Sequence, residues 1–286
     1  MATLSAQRRA SLAARLRQGR PRNSGAGTAG PVPLNDGPAT RRLVVLHAVG
    51  GTVFPYGHLA HAVADRFAVW GVPAPADPPE TLEQLVTQHL ESLRRLWPGG
   101  PYRLAGWSMG GILAFEVARR LQADGAEVEL LGLLDTPIWL PGDLHPTPVQ
   151  YAGWFVADAA RALRADVDRP PGLYRAGVEE QLDWLARAMD PTGEPEQLRE
   201  ELAARCALFC ANTRLIAGYR PTAQVRARAL VVDVEESPNG SSRWPDVIDG
   251  PTRTRWLPGN HYSFLQPPLV SHLAAELLAL DEEGQR

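Results

Sequence analysis

Lysine is missing from the chain: its 286 residues carry 29 basic side chains, and all are arginine. That usage fits GC-rich coding and says nothing of mechanism. Cysteine is scarce, confined to Cys206 and Cys210 in "CALFC". On a helix they stand one turn apart, with Cβ atoms about 5–6 Å from each other, whereas a disulfide wants about 3.5–4.5 Å. No further ligands gather around them for a metal, so both read as small buried apolar residues in a reduced, cytoplasmic chain. No run approaches the roughly 18 apolar residues that span a bilayer, and no secretory h-region opens the chain, so no membrane is expected as a partner. The net charge of −3 argues against a dedicated nucleic-acid binder.

What is present is alternation. Residues 1–40 read as a basic helix ("LSAQRRASLAARLRQ") followed by a Gly- and Pro-rich flexible linker, a docking or linking element. From 41 to 286, short β-type runs alternate with amphipathic runs: "RRLVVLHAVGG", "PYGHLAHAVAD", "RFAVWGVPA", "TLEQLVTQHLESLRRLW", "YRLAGWS", "GILAFEVARRLQADG" and "EVELLGLLD". Thr81 and Gln84 form a capping box before the fourth of these. Such alternation predicts a mostly parallel sheet with helices on both faces. Over about 137–219 the pattern changes to helix after helix, too long for a connection. It reads as an inserted helical lid, after which strands resume at "VRARALVVDVEE" and "RTRWLPG" and a helix closes the chain.

The chemistry centres on Gly106-Trp107-Ser108-Met109-Gly110, a Gly-x-Ser-x-Gly elbow at the change from strand to helix. The glycines suit a strained turn with no room for side chains. The following helix aims its N–H groups at developing negative charge. A serine hydroxyl needs a base, and this fold predicts the order Ser, acid, His. His261, in "LPGNHYSFL" after the last strand, suits the base; His272 lies in the closing helix, and His58 and His61 complete no metal site. Asp135, ending the strand after the elbow helix, is the favoured acid; Asp233, Glu235 and Glu236 on the next strand are its rivals. Met109 and Val49, the latter in the Gly50-Gly51 loop after the first strand, are candidate N–H donors to an oxyanion. His47 beside that loop precedes Ser108 and reads as backbone shaping. Trp139, Trp154 and Trp184 of the lid either line an acyl channel or pack the lid.

Taken together, "LHAVGGTVFPYGHLA", "YRLAGWSMGGILAFEVARRLQADG", "LLGLLDT", "ANTRLIAGYRP" and "GNHYSFL" resemble the thioesterase domains of nonribosomal peptide and polyketide synthases, over roughly residues 42–280. The resemblance implies an α/β-hydrolase fold with a helical lid. It implies Ser108 as nucleophile, Asp135 as acid, His261 as base, and Val49 and Met109 as oxyanion donors. It also implies that an acyl or peptidyl carrier protein presents the acyl chain on its phosphopantetheine arm, with no cofactor or metal of the enzyme's own. An acid at Asp135 leans toward a chain-releasing member, while a chain beginning at Met1 with no carrier domain leans toward a stand-alone editing one. A general serine esterase and a non-catalytic hydrolase-fold module are the other readings.

Overall fold

The computed structural model describes residues 30–138, 146–162, 170–190, 195–236 and 241–284. Among them, seven strands form one sheet: β1 (Val32–Pro33), β2 (Arg42–Leu46), β3 (Ala68–Val72), β4 (Tyr102–Trp107), β5 (Val128–Leu134), β6 (Arg228–Val234) and β7 (Thr252–Leu257). Their order is β1-β3-β2-β4-β5-β6-β7. Only β1 runs antiparallel to its neighbour; every other pairing is parallel. Helices α1 (Gly57–Ala62), α2 (Leu82–Leu96), α3 (Met109–Ala123) and α7 (Val270–Glu283) accompany the sheet, while α4 (Pro148–Ala162), α5 (Val178–Met189) and α6 (Pro195–Ile216) fill the late insertion.

The central strands are buried on both faces, and their period of two sorts the side chains. Val44 and Leu46 of β2 join Leu104, Leu131 and the apolar sides of α2 and α3 in one cluster. Leu43 and Val45 join Ala105, Leu130 and side chains of α1 and α7 in the other. The capping box sets the start of α2: Thr81 Oγ1 accepts from the Gln84 N–H, and Gln84 Oε1 accepts from the Thr81 N–H, both at 3.2 Å. Two otherwise orphaned N–H groups are thereby satisfied. The fully buried Asp281 of α7 accepts from Arg41, and from Arg66 Nε at 2.7 Å, tying three distant segments together.

Residues 30–40, expected to be linker, instead add an edge to the sheet. Val32 and Pro33 pair with Gly71 and Trp70. The Asn35 side chain donates to Ala60 O at 2.6 Å and accepts from Val69 N at 2.8 Å. A Cβ on Gly37 would lie 2.0 Å from Phe67 O, so only glycine fits there. A two-residue strand leaves no periodic signal, which is why composition misread it. The basic helix expected further upstream lies outside the described residues.

The chain divides into two compact units, one centred on the sheet and one within Asp143–Arg214. The helical unit is narrower than the expected 137–219. Ile138 is buried in the sheet unit's core, and the Tyr219 hydroxyl donates to Glu116 of α3 at 2.8 Å. Within the helical unit, Phe155 of α4 meets Phe209 of α6 edge-on with ring centroids 5.8 Å apart. The buried Gln181 of α5 donates to Val149 O at 3.1 Å and Ala176 O at 2.9 Å. Cys206 and Cys210 are free thiols on α6. Among the described residues, no helix is long and apolar enough to cross a membrane.

Candidate active site

Strand order reverses between β2 and β4: β3 lies on one side of this pair and β5 on the other. In an open parallel sheet the crevice beyond the carboxyl ends of such a pair is where ligands bind. The loop after β2 holds Ala48 to Gly51, and the turn after β4 holds Ser108, so both reach that crevice.

Ser108 sits at φ 57° and ψ −128°, in the left-handed half of backbone space where a non-glycine residue is strained. Two glycines make the turn possible. A Cβ on Gly106 would lie 1.9 Å from Gly110 O, and one on Gly110 would lie 2.3 Å from Leu46 O. Serine at a helix start ordinarily caps it, yet the Ser108 side chain makes no capping bond to α3. Its backbone is anchored instead, with Ser108 N donating to Leu134 O at 3.0 Å. The side chain is half-buried, at the foot of the helix dipole.

Asp135, fully buried, ends β5 at φ 46°, another strained position. Its N–H donates to Val232 O at 2.7 Å, and its Oδ2 accepts from His261 Nδ1 at 2.5 Å. A carboxylate on Nδ1 fixes the tautomer and leaves Nε2 as the ring's base. His261 comes from the loop after β7, where Asn260 Oδ1 accepts from Tyr262 N and Ser263 N, each at 3.1 Å. The imidazole lies over Trp107, the residue before Ser108, with centroids 4.9 Å apart. Asp233 is buried within β6 and paired in register with Trp256. Glu235 and Glu236 are exposed beyond the end of β6. The described acid that meets His261 is therefore Asp135.

Met109 is the first, fully buried residue of α3. Val49 lies in the loop after β2, partly buried against the core. Gly51, at φ 75°, closes that loop by donating to Ala48 O at 2.9 Å. Of the expected acyl-channel residues, Trp139 lies outside the described residues. Trp154 is 42% exposed on α4 and lines a cavity of about 570 Å³ with Pro170, Pro171, Leu173 and Tyr174. The half-buried Trp184 on α5 is not part of that lining. His58, His61 and His272 are exposed.

Three supports escaped the sequence pattern. The buried Tyr56 hydroxyl donates to Leu46 O and accepts from Trp107 N, each at 2.7 Å, tying the ends of β2 and β4 beside the elbow. The buried Trp244 donates from Nε1 to Thr136 O at 2.8 Å, next to Asp135. His47, fully buried, faces an equally hidden His89 from α2, with Nε2 atoms 3.2 Å apart. Burial pushes His47 down to about 4 and His89 well below the usual imidazole value. Tyr56 Oη and the His47 carbonyl also crowd the Cβ position of Gly110, each at 3.0 Å. An aromatic directly before the start of a His-rich helix is the only trace of Tyr56 in the sequence.

Residues 41–145, which carry β2, the elbow and Asp135, match the family model described as the thioesterase domain. The conidial pigment polyketide synthase PfmaE of Pestalotiopsis fici is 27% identical over 250 residues, 82% of this chain and 11% of that protein. The nonribosomal peptide synthetase pngA of Aspergillus terreus is 27% identical over 280 residues, 84% of this chain and 28% of that protein. The chain thus spans between about a tenth and three tenths of these relatives' length. Among solved structures, the NocB thioesterase domain in covalent complex with a fluorophosphonate nocardicin G analogue aligns with TM-score 0.63 at 22% identity, covering 88% of this chain and 99% of that one. The SrfTE domain, described in connection with surfactin cyclisation, aligns with TM-score 0.58 at 18% identity, covering 90% and 97%. At these identities the two structures establish the shared fold.

Proposed function

We propose, from a chain whose residues 41–145 match the family model of the thioesterase domain, a serine thioesterase that releases an acyl, peptidyl or polyketide chain from the phosphopantetheine arm of a carrier protein in secondary-metabolite biosynthesis. The observation that carries this reading is the Asp135–His261 pair at 2.5 Å, laid over the residue preceding a strained, non-capping Ser108.

Ser108 Oγ attacks the thioester carbonyl while His261 Nε2 takes the hydroxyl proton. Asp135 stabilises the imidazolium that forms. The Val49 and Met109 N–H groups receive the negative charge that develops on the carbonyl oxygen. Collapse breaks the C–S bond, and His261 returns the proton to the leaving pantetheine sulfur. Water, or a nucleophile within the chain itself, then attacks the acyl-serine with His261 again as base. The chemistry calls on no metal or cofactor of the protein's own, and the pantetheine arm arrives with the carrier. A cytoplasmic location suits both a carrier-bound substrate and two free thiols. Because His261 Nδ1 donates to Asp135 after β5, the chain-releasing role is favoured over editing.

A fluorophosphonate probe should label Ser108 in the wild type and fail to label Ser108→Ala. Incubation with an acyl-loaded carrier should give a mass adduct on Ser108 and released acid or lactone. A folded wild type that takes no label and no acyl group would refute the reading. Turnover of simple esters over carrier thioesters would point to a general esterase instead.

A further inference from the structure

His47 and His89 lie at hydrogen-bond distance in a wall of leucine and valine, 0% and 3% exposed. Packing alone would be met by apolar residues, as it is at Leu85, Leu90 and Leu93 on the same face of α2. Two buried imidazoles therefore call for a polar reason.

Their bonds supply it. His47 Nδ1 lies 2.8 Å from Ala48 O. A carbonyl can only accept, so Nδ1 carries the ring proton and Nε2 presents a lone pair. That lone pair faces His89 Nε2 at 3.2 Å, which must then be the donor. Protons run one way: His89 Nε2–H to His47 Nε2, and His47 Nδ1–H to Ala48 O. Ala48 O accepts a second bond from Gly51 N at 2.9 Å. The peptide joining Ala48 to Val49 is planar and trans, so its C=O and N–H point in opposite directions. Holding the Ala48 oxygen from two sides therefore sets the direction of the Val49 N–H. Without the His89 donor, the His47 ring could turn its proton away and leave Ala48 O to Gly51 alone. The peptide would then be able to flip in a loop with glycine at both 50 and 51.

We infer that His89 is a positioning residue that, through His47, orients the Val49 N–H toward the oxyanion of the reacting acyl group. The inference rests on the reading of this protein as a serine thioesterase with Val49 as donor. It assigns a role in the reaction to a side chain of α2, remote in sequence from both the elbow and its loop.

The test compares wild type, His89→Leu and His89→Gln on an acyl-pantetheine thioester. Leucine keeps the bulk and removes the donor; glutamine returns an N–H near the lost Nε2. Losing an oriented oxyanion donor costs about 10²–10³ in kcat, so His89→Leu should lose about a hundredfold in kcat with KM within about twofold. His89→Gln should recover at least about tenfold of that loss. Should His89→Leu fail to fold, a long-range ¹H–¹⁵N spectrum of wild type decides, with protons expected on His47 Nδ1 and His89 Nε2. A proton on His47 Nε2 overturns the inference. So does a folded His89→Leu with unchanged kcat, or a loss that glutamine does not relieve. Wild type that neither labels at Ser108 nor turns over thioester overturns the thioesterase reading itself, a different outcome from an active wild type with an indifferent His89.

Discussion

Gly111 is the contact point between the elbow helix and the segment carrying the acid, which makes Gly111→Ala a sharp perturbation. An added Cβ would lie 2.0 Å from Thr136 Oγ1, 2.7 Å from its Cγ2 and 2.8 Å from its Cβ. Carbon contacts settle at about 3.5–4 Å, so Thr136 must withdraw by about 1 Å or more. It cannot do so alone, because its carbonyl accepts from the buried Trp244 and its backbone continues into Asp135. Alanine in a helix gains about 1 kcal/mol over glycine, while overpacking costs about 1–3 kcal/mol. The net should be a destabilisation of about 0–2 kcal/mol, at most a few degrees in Tm. Activity should suffer more. Moving Asp135 out of its 2.5 Å contact disorients His261, and a 1 Å misplacement costs about 10² in rate. The expected result is a kcat about a hundredfold lower in a protein that still melts cooperatively. Thr136→Gly removes the three nearest obstructing atoms, whereas Thr136→Ala leaves the Cβ at 2.8 Å. The double variant Gly111→Ala with Thr136→Gly should therefore regain activity relative to Gly111→Ala, with Thr136→Gly alone as reference. Thioester turnover and circular-dichroism melts of the four proteins decide it. Gly111→Ala with wild-type kcat and Tm would refute the close-contact reasoning.

The histidine pair makes stability sensitive to acid. His47 is held near 4 by burial, and His89 is also lowered, whereas both return to about 6.5 on unfolding. The unfolded chain therefore binds more protons between those values, so stability is whole above pH 6.5 and falls as pH drops toward 4. His47 alone should contribute about 3 kcal/mol to that fall. Urea unfolding at pH 7.5, 6 and 5 should show a shallower decline in His47→Gln, and parallel declines would contradict the assignment. Asp281→Asn should remove about 3 kcal/mol, because the buried carboxylate answers Arg41 and Arg66, with Arg103 Nε at 3.8 Å. The partial exposure of Arg41 and Arg66 keeps the figure at the low end of that range. The kcat per folded molecule should be unchanged, since α7 reaches the site through no catalytic group; a loss of kcat without loss of stability would count against this.

Periodicity made most of the scaffold readable. Alternation in "RRLVVL" and "YRLAGW" places Val44 and Leu104 on one face of the sheet and Val45 and Ala105 on the other. A period of three to four, opened by Thr81 and Gln84, marks α2. The elbow was readable for a different reason: two glycines and a serine at a strand-to-helix change are a local constraint, written in five consecutive letters. Asp135 and His261 could be placed by chain order, because parallel strands bring their carboxyl ends to one edge whatever lies between them. Tyr56, His89 and Trp244 were not readable, for a shared physical reason. Each sits at a position where an apolar residue would satisfy the pattern, and each differs only in one polar atom aimed at backbone or ring far away in sequence. Tyr56 meets Trp107 across 51 residues, His89 meets His47 across 42, and Trp244 meets Thr136 across 108. Such bonds have no period. All three converge on peptides beside the reacting atoms: Leu46 O and Trp107 N, Ala48 O through His47, and Thr136 O. The reactive groups themselves are thus written locally, while the angles at which they meet depend on polar atoms hidden inside apolar patterns. Conservative apolar substitutions at those three positions should therefore be tolerated by the fold better than by the reaction.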